Sequence, residues 1–345
     1  MNFKSKLREI RIKLGKFFLD RKISQNLTTL EPQKILFLRQ DGKIGDYIVS
    51  SFIFREIKKY NSNIQIGIIC TRQNSYLFEQ NPYIDELYLV KKRSIVDCIR
   101  QGLKLRQENY DVVIDPTLSI RNRDLLLLRL VKAKIYVGYQ KQQYKLFNYN
   151  IDEEYIHFST IYRLVLEKIN IPCQDNSYDI PCNKKAENKI KRFLQSNNIK
   201  DYIALNFFGA GKNRKFSDEN ILNWIEYICH NSHLPIILLS YPAVTEKLNV
   251  TIKALDNVFL LENTENIFDN IELIRLSNLV ISPDTSIVHI ASGLNKPMIA
   301  LYSNDEVNFS HWHPNSKNLL YLLRYELNIN EIVPNKIEKS WLNLK

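Results

Sequence analysis

Short apolar runs alternate with stretches of helical spacing along most of this chain of 345 residues, and this alternation limits the possible folds most strongly. In the first half the runs have the length of strands, and they lie at 34–38, 64–70, 86–90, 110–115 and 133–138. The segments between them have the length and periodicity of helices. Strands that alternate with helices predict parallel βαβ units, and therefore an α/β fold.

The same alternation returns in the second half, where further strands are expected at 202–207, 234–240, 279–282 and 297–302. Residues 171–183, which contain two prolines and show no periodicity, are typical of a linker. We predict two doubly wound, Rossmann-like domains over 31–170 and 184–320. Residues 1–30 form an N-terminal extension, and we expect 321–345 to return to the first domain. Open α/β sheets bind ligands at the carboxyl ends of their strands, so we expect a ligand site in a cleft between the domains.

The segment RQDGKIGDYIVSS follows the first strand directly and occupies residues 39–51. Gly42 and Gly45 permit a tight turn and the close approach of another molecule. Asp46 comes where a helix begins, so its carboxylate could cap free backbone N–H groups. The same carboxylate could instead act as a general base. The residues alone leave both interpretations open, but they exclude a Walker A loop, which requires GK followed by Ser or Thr.

A second segment of unusual composition, residues 205–221, follows the first strand of the second half. Small residues and cations occur together here: Gly209, Ala210, Gly211, Lys212, Arg214 and Lys215. A helix is expected to begin near Ser217. Small residues, cations and a helix N-terminus together favour an anion site, most plausibly for a diphosphate. The alternative is an ordinary basic loop.

The third segment, 280–302, combines the end of a strand with a strong helix start. Asp284, Thr285 and Ser286 are residue types that cap helices, and the N–H groups behind them could bind the other side of a diphosphate. His289 lies one turn into the helix. From its position alone, it could be a half-buried structural histidine or a ligand contact.

The pair His311 and His313 has a spacing that could ligate a metal ion. No cluster of Asp, Glu or Cys nearby in the sequence completes a site, so we interpret this segment as a loop. We expect no metal and no cofactor.

Positive charge is concentrated near the N-terminus of a chain whose net charge is +11. The cations within residues 1–25 are Lys4, Lys6, Arg8, Arg11, Lys13, Lys16, Arg21 and Lys22. The apolar residues recur at helical steps: Phe3, Leu7, Ile10, Leu14 and Phe17. A basic amphipathic helix of this kind either lies in an anionic membrane interface or packs on the body of the protein. No apolar run reaches the ~18 residues of a membrane span, and we see no secretory signal.

Four segments occur in the order found in glycosyltransferase family 9, the heptosyltransferase family, which this chain resembles from residue 34 to about residue 315. They are ILFLRQDGKIGDYIVSSFIFREIKK (35–59), NPYIDELYLV (81–90), YDVVIDPTLSIRNRDLL (110–126) and SPDTSIVHIASGLNKPMIALY (282–302). The resemblance implies the GT-B fold, in which two Rossmann-like domains face each other across a cleft. It also implies inverting, metal-independent transfer of heptose from ADP-heptose to the inner core of lipopolysaccharide.

The same resemblance implies roles for individual residues. Asp46 matches the general base, the first domain binds the acceptor, and the second domain binds the nucleotide sugar. The implied donor-binding residues are Gly209, Lys212, Lys215, Glu246, Asp284, Thr285, Ser286 and His289. The candidates for binding anionic Kdo or phosphate groups of the acceptor are Arg39, Lys43, Arg121 and Arg123, since guanidinium groups bind carboxylates in a fork.

The implied partners are ADP-heptose, a glycolipid acceptor of the lipid A–Kdo type and the anionic inner face of the cytoplasmic membrane. Two alternatives remain. Ser286 stands where the family usually has glycine, and the turn at 240–243 is also altered, so the donor could be a different nucleotide sugar. The net charge alone would allow a non-enzymatic module that binds nucleic acid, although no motif of that class is visible.

Overall fold

The computed structural model describes residues 3–22, 31–91, 93–209 and 211–344, with the backbone alone described for 3–9 and 212. Residues 23–30 of the expected extension and Ala210 of the expected anion loop therefore lie outside the described residues. The chain divides into two compact units, Met1–Asn176 and Ser177–Lys345. The division falls inside the segment 171–183 that was expected to be a linker.

The first unit contains a parallel sheet of six strands in the order β3-β2-β1-β4-β5-β6. The strands are β1 (Lys34–Leu38), β2 (Gln65–Cys70), β3 (Glu86–Leu89), β4 (Val112–Asp115), β5 (Ile135–Tyr139) and β6 (Tyr149–Ile151). The helices are α1 (Phe3–Leu19), α2 (Ile44–Ser50), α3 (Phe52–Tyr60), α4 (Ser75–Glu79), α5 (Ile95–Gln107), α6 (Asn122–Val131) and α7 (Phe158–Lys168). Residues 35–38 of β1 are buried because helices cover both faces of a parallel sheet.

The second unit repeats this architecture, with the strand order β12-β11-β10-β7-β8-β9. Its strands are β7 (Ile203–Leu205), β8 (Ile236–Leu238), β9 (Val258–Leu260), β10 (Leu279–Pro283), β11 (Met298–Ser303) and β12 (Leu320–Tyr325). Its helices are α8 (Lys184–Ser196), α9 (Asp218–Asn231), α10 (Pro242–Ile252), α11 (Ile267–Leu276), α12 (Ser286–Gly293), α13 (Glu306–Trp312) and α14 (Lys339–Leu342). The prediction of two doubly wound α/β domains is thus confirmed.

Each sheet reverses its winding direction at its centre. In the first unit the chain crosses from β1 to β2 in one direction and later passes to β4 on the other side of β1. In the second unit β7 and β10 are the neighbouring strands at which the direction reverses. A crevice forms at such a switch point, outside the carboxyl ends of the two central strands. The residues that follow these four strands are therefore the first candidates for a site.

The segment between β1 and β2, which was expected to be helical, contains two helices, α2 and α3. The interruption between them is at Ser51, whose N–H and Oγ both donate to the carbonyl of Ile48, at 3.1 and 2.7 Å. A serine side chain that bonds back to the preceding turn competes with the helical hydrogen bonds and bends the helix. The result is that α2 is a separate short helix directly after the β1 loop.

The expectation that residues 321–345 return to the first domain is wrong, because they belong to the second unit. β12 pairs with β11 as the outer strand of the second sheet. The helix α9 then holds the rest of the segment: Trp224 Nε1 donates to the carbonyl of Ile332 at 3.2 Å, and Tyr227 Oη donates to that of Ile337 at 2.7 Å. Apolar side chains of the same segment complete the core of this unit: Ile329, Ile332, Ile337 and Leu342.

The N-terminal helix α1 packs against α6. Asn122 Nδ2 donates to the carbonyl of Arg11 at 2.6 Å, and Asp20 Oδ1 accepts from the N–H of Leu146 at 2.9 Å. Gly15 lies at the crossing, where a Cβ atom would come within 2.1 Å of the Asn122 side chain. The helix therefore packs on the body through one side, while Ile10, Leu14 and Phe17 on its other side are exposed. Among the described residues, the structure shows no helix with the length and apolar character to cross a membrane.

We expect the substitution Trp224→Ala to lower the free energy of unfolding of the second unit by about 3–5 kcal/mol. The indole is fully buried in the core and also holds the C-terminal segment through Ile332. Urea denaturation followed by fluorescence measures this, because the remaining tryptophans, Trp312 and Trp341, lie in the same unit. The control is Val250→Ala, at a side chain that is 73% exposed, for which we expect a change within ~0.5 kcal/mol. Equal effects of the two substitutions would contradict the prediction.

Candidate active site

The loop after β1 is organised by Arg39, whose side chain is fully buried. Its Nε donates to Asp41 Oδ2 at 3.1 Å, and its Nη1 donates to Ser50 Oγ. The guanidinium lies between the rings of Phe78 and Tyr162, at 5.7 and 5.8 Å from their centroids. The expectation that Arg39 binds the acceptor is wrong for this conformation, because the guanidinium has no exposed surface. Arg39 instead fixes the β1 loop against α2.

Asp46 lies in the first turn of α2, but it does not occupy the N-cap position, which belongs to Lys43. Its side chain is 19% exposed and has Lys43 Nζ at 4.0 Å. Burial and, to a smaller extent, the negative charge of Asp41 raise the pKa of Asp46 to about 6, although Lys43 and Arg39 oppose the shift. A carboxylate with a pKa near the working pH is suited to accept a proton. The geometry therefore favours the general base over the cap.

The end of β4, on the other side of the switch point, carries a buried ion pair. Asp115 lies 3.8 Å from Lys141 Nζ, and both side chains are almost completely buried. Burial raises the pKa of Asp115, and the charge of Lys141 opposes the rise. Thr117 donates its hydroxyl and its N–H to Asp115 Oδ1, at 2.6 and 3.0 Å. These contacts fix the β4 loop against Lys141, which lies shortly after the end of β5.

Three of the four cations expected to bind the acceptor keep exposed surface. Arg121 is exposed immediately before α6, and Lys43 is exposed immediately before α2. Arg123 is less exposed, because its Nε lies 3.4 Å from Asp124 Oδ1. Arg121 and Lys43 are therefore the better placed of these cations for binding an anionic group.

In the second unit, Asn206 joins the two loops at the switch point. It directly follows β7, and its Nδ2 donates to Ser282 Oγ in β10 at 3.0 Å. Its Oδ1 accepts from the N–H of Phe208 at 3.1 Å, so the same side chain also shapes the start of the basic loop. This residue was not among the sequence-based candidates. Its only signal in the sequence is a polar side chain at the end of an apolar strand.

The glycines of the basic loop allow a close approach between this loop and α12. A Cβ atom at Gly209 would lie 3.0 Å from Arg214 Cβ and 3.2 Å from Thr285 Cγ2. Gly211 has a φ of +119°, which L side chains rarely adopt. Thr285 caps α12 by accepting from the N–H of Ile287 at 3.2 Å. A helix N-terminus next to a glycine turn and cations is an arrangement suited to bind an anion.

Arg214 links this loop to the loop after β10. Its Nη1 donates to the carbonyl of Asp284 at 3.1 Å, and its Nη2 lies 2.9 Å from Asp284 Oδ2. Asn308 Nδ2 donates to the same carboxylate oxygen at 2.8 Å. Asp284 is buried, so the structure makes it a positioning residue for Arg214 rather than a direct donor contact.

His289 is buried one turn behind the cap, with its ring centroid 5.7 Å from that of Trp312. Burial lowers the pKa of His289 to about 4, with a smaller contribution from the nearby His313. The ring is therefore neutral near pH 7 and cannot provide positive charge to a diphosphate. Its Nδ1 has no hydrogen-bond partner among the described residues.

The remaining donor candidates lie on or near the same loops, but the structure joins only some of them. Ser286 is the first residue of α12 and is partly exposed. Lys215 is exposed, and Asn330 Nδ2 donates to its carbonyl at 3.1 Å. Lys212 begins a 3₁₀ turn, and its side chain lies outside the described residues. Glu246 is exposed on α10, where no described contact connects it to the anion loop.

The interpretation of the segment at His311 and His313 as a loop is wrong, because α13 extends to Trp312 and His313 follows as its C-cap. Within the described residues, no group of three or more His, Cys, Asp or Glu side chains is placed to hold a metal ion.

Comparison with known proteins identifies the family. The sequence model of glycosyltransferase family 9 (heptosyltransferase) matches residues 99–340, which is more than half of the chain. The chain belongs to glycosyltransferase family 9. It is therefore a glycosyltransferase, as the sequence predicted, and the non-enzymatic alternative is left without support.

The similar proteins agree with this assignment. A putative lipopolysaccharide heptosyltransferase 4 of Escherichia coli K12 is 26% identical over 320 residues, which cover 90% of this chain and 87% of that protein. A family 9 glycosyl transferase of Veillonella parvula has a TM-score of 0.73 at 17% identity, covering 94% of this chain and 99% of its own. The ADP-heptose lipopolysaccharide heptosyltransferase II of E. coli has a TM-score of 0.71 at 15% identity, covering 90% and 97%. These likenesses confirm the expected GT-B fold.

We expect the substitution Asp46→Asn to stabilise the first unit at pH 8 and to have little effect at pH 4. The folded-state pKa of about 6 lies above the ~3.9 of an unfolded aspartate, so the folded state binds the proton more tightly. Stability contributed by the protonated form is present below pH ~4 and is lost as the pH rises through about 6. Asparagine carries no charge that must be buried, so the substitution should raise the free energy of unfolding by about 1–3 kcal/mol at pH 8.

Amide hydrogen exchange of peptides from β1 and α3 measures this change, since it reports opening of the first unit. The control is Asp152→Asn, at an exposed side chain of the same unit, for which we expect no pH-dependent difference. A destabilised Asp46→Asn protein at pH 8 would show that the carboxylate is favourably paired there.

Proposed function

We propose that this enzyme transfers heptose from ADP-heptose to the inner core of lipopolysaccharide, with inversion at the anomeric carbon and without a metal ion. The observation that carries the proposal is Asp46, a largely buried carboxylate of raised pKa at the switch point of the first sheet. The name of the E. coli relative of known structure, which specifies ADP-heptose, supports this donor.

Asp46 would act as the general base toward an acceptor hydroxyl. The hydroxyl oxygen forms a bond to the anomeric carbon while the bond from that carbon to the diphosphate oxygen breaks. The hydroxyl proton passes to Asp46, and ADP leaves with the bonding electrons. A single displacement of this kind inverts the anomeric centre. An alcohol is a weak nucleophile at neutral pH, so a positioned base contributes ~10²–10⁴ in rate.

The loops of the second unit would bind the diphosphate and stabilise its charge as ADP leaves. Arg214 is held toward Thr285 and the α12 N-terminus by Asp284, and Lys215 lies exposed beside it. Fixed cations and a helix N-terminus aimed at developing negative charge lower the barrier, because they need no rearrangement during the reaction. Because His289 is neutral and buried, its part would be to hold the first turn of α12 in place.

The acceptor would be a glycolipid of the lipid A–Kdo type, with Arg121 and Lys43 binding its anionic groups. Such an acceptor is fixed in a bilayer, so the enzyme would work as a peripheral protein on the cytoplasmic face of the inner membrane. The basic helix α1 supports this location, since several of its cations and apolar side chains are exposed.

A second candidate keeps the mechanism and changes the donor. Ser286 places a side chain on the first residue of α12, where the family usually has glycine, and so narrows the space for a ligand. Next to β8, the exposed ring of Tyr241 packs edge-on against Phe208, with centroids 5.7 Å apart. These side chains favour a nucleoside or sugar of different shape from ADP-heptose.

We expect Asp46→Asn to lower kcat by about 10²–10⁴ and to leave the KM for the donor unchanged, because the base acts in the chemical step.

For the wild type, kcat/KM should rise with pH and level off above about 6, as Asp46 loses its proton. Two substitutions should move this rising limb of the pH profile of kcat/KM in opposite directions. Asp41→Asn removes a charge that raises the pKa of Asp46, so the limb moves to lower pH. Lys43→Ala removes a charge that lowers it, so the limb moves to higher pH.

Kinetics of transfer across this pH range, with each variant measured beside the wild type, provide the test. If the Asp46→Asn variant transferred heptose as fast as the wild type, Asp46 would not be the general base. Shifts of the limb in the same direction for both flanking variants would refute the electrostatic assignment.

We expect ADP-heptose to raise the melting temperature more than UDP-, GDP- and CMP-sugars at equal concentration, and transfer to continue in excess EDTA. Thr285→Val should weaken the ADP-heptose effect, since it removes the cap of α12. Thermal-shift measurements and a transfer assay provide the data, with Thr251→Val on an exposed turn of α10 as the control. Stabilisation by another nucleotide sugar alone would establish the second candidate instead.

A further inference from the structure

Two helices on one face of the first sheet expose apolar side chains to solvent. The crossovers from β3 to β4 and from β4 to β5 run in the same direction across the sheet, so α5 and α6 lie on the same face. The helix α1 packs against α6 as well. α6 is therefore in contact with both α1 and α5.

The packing of α1 fixes which of its sides faces solvent. Gly15 meets Asn122 of α6, and Leu19 packs against the core of the unit. The opposite side of the helix carries its exposed apolar residues, and Phe17 is 79% exposed. The full set on this side is Ile10, Leu14, Phe17 and Phe18. The described part of the apolar stripe predicted from the sequence, Ile10, Leu14 and Phe17, is thus turned away from the body.

The helix α5 repeats this arrangement independently. Gly102 allows close contact with α6, since a Cβ atom there would lie 2.7 Å from Leu130 Cβ, and Cys98 and Leu105 are buried. The exposed apolar residues recur at helical steps on the other side, and Val96 is 78% exposed. They are Ile95, Val96, Ile99 and Leu103. The sequence analysis did not single out this stripe.

Exposed cations surround both stripes, and two described carboxylates, Asp20 and Asp97, accept hydrogen bonds from backbone N–H groups. The exposed cations on and beside the two helices are Arg11, Lys13, Arg21, Lys22, Lys91, Arg93, Arg100, Lys104 and Arg106. Asp20 Oδ1 accepts from the N–H of Leu146 at 2.9 Å, and Asp97 Oδ2 accepts from that of Lys91 at 2.6 Å. The surface is therefore apolar and strongly positive at the same time.

The apolar character and the positive charge of this surface together indicate which partner it would bind. Apolar side chains in a ring of cations match an anionic bilayer, in which the cations meet the headgroups and the apolar side chains enter the interface. A nucleic acid offers no apolar surface that would cover the exposed aliphatic side chains of Val96, Ile99 and Leu103. A second copy of the chain related by two-fold symmetry would place the same cations against each other.

We propose that the exposed faces of α1 and α5 together form a surface that docks on an anionic lipid bilayer. This extends to α5 the membrane association suggested for α1, and only its purpose, access to a lipid-linked acceptor, rests on the proposed function. Docking through two helices would hold the first unit in one orientation on the membrane, which a single helix free to roll does not achieve.

Flotation of the full-length protein with vesicles tests this proposal. The vesicles are phosphatidylcholine alone, or phosphatidylcholine with one-quarter phosphatidylglycerol. The α5 variant combines Val96→Ser and Ile99→Ser, the α1 variant combines Phe17→Ser and Phe18→Ser, and the control combines Val250→Ser and Leu327→Ser. The control side chains are 73% and 77% exposed, but they lie in the second unit.

We expect the wild type and the control to bind the anionic vesicles alike, and the α1 and α5 variants each to lose about tenfold in partitioning. Raised salt should weaken the binding of the wild type. An α5 variant that floats like the wild type would overturn the proposal. So would equal binding to neutral vesicles, or a wild-type dimer in light scattering that the α5 variant dissociates.

Two further measurements separate this proposal from the others. Unchanged circular dichroism and melting temperature would show that the variants fold. With a water-soluble acceptor fragment, the α5 variant should keep the wild-type kcat/KM. If the wild type transfers no heptose but still floats through both helices, the proposed function fails while the docking surface stands.

Discussion

The reversal of winding at the centre of each sheet is the constraint on which the site depends. Crossovers lead away from the central pair of strands in opposite directions, so no helix connection covers their carboxyl ends. The principal candidates follow one of these four strands: Asp46 after β1, Asp115 at the end of β4, Asn206 after β7 and Thr285 after β10. The fold thus creates the same opening twice, and the loop sequences give each opening a different chemistry.

A guanidinium fixes the loops in both units, but in different ways. Arg39 is fully buried and ties its own loop to α2 through Asp41 and Ser50. Arg214 bridges the loops that follow β7 and β10 by binding Asp284, and it keeps part of its surface exposed. A buried guanidinium can only position other groups, whereas a partly exposed one can also bind an anion. Both arginines bind an aspartate, but only Arg214 has the exposed surface that binding a ligand requires.

The sequence predicted the central strands and the motif loops because both leave local signals. Continuous apolar runs marked the buried strands, and glycines and cap residues marked the turns. The strands that were missed, β6, β9 and β12, are all edge strands. β6 and β9 are only three residues long, and the apolar run of β12 begins just before the segment that was expected to return to the first domain. The burial of Arg39 and the pairing of Asp284 with Arg214 depend on partners far apart in the chain. No local pattern of residues contains that information.

The ion pairs around Asp46 have a consequence for the proposed catalytic cycle. Arg39 and Lys43 face Asp41 and Asp46, so these four charges balance while Asp46 is ionised. A proton taken up by Asp46 would leave one net positive charge in this group, which favours release of the proton. The cycle would close when that proton reaches water, and the small exposed part of the Asp46 side chain would be its route.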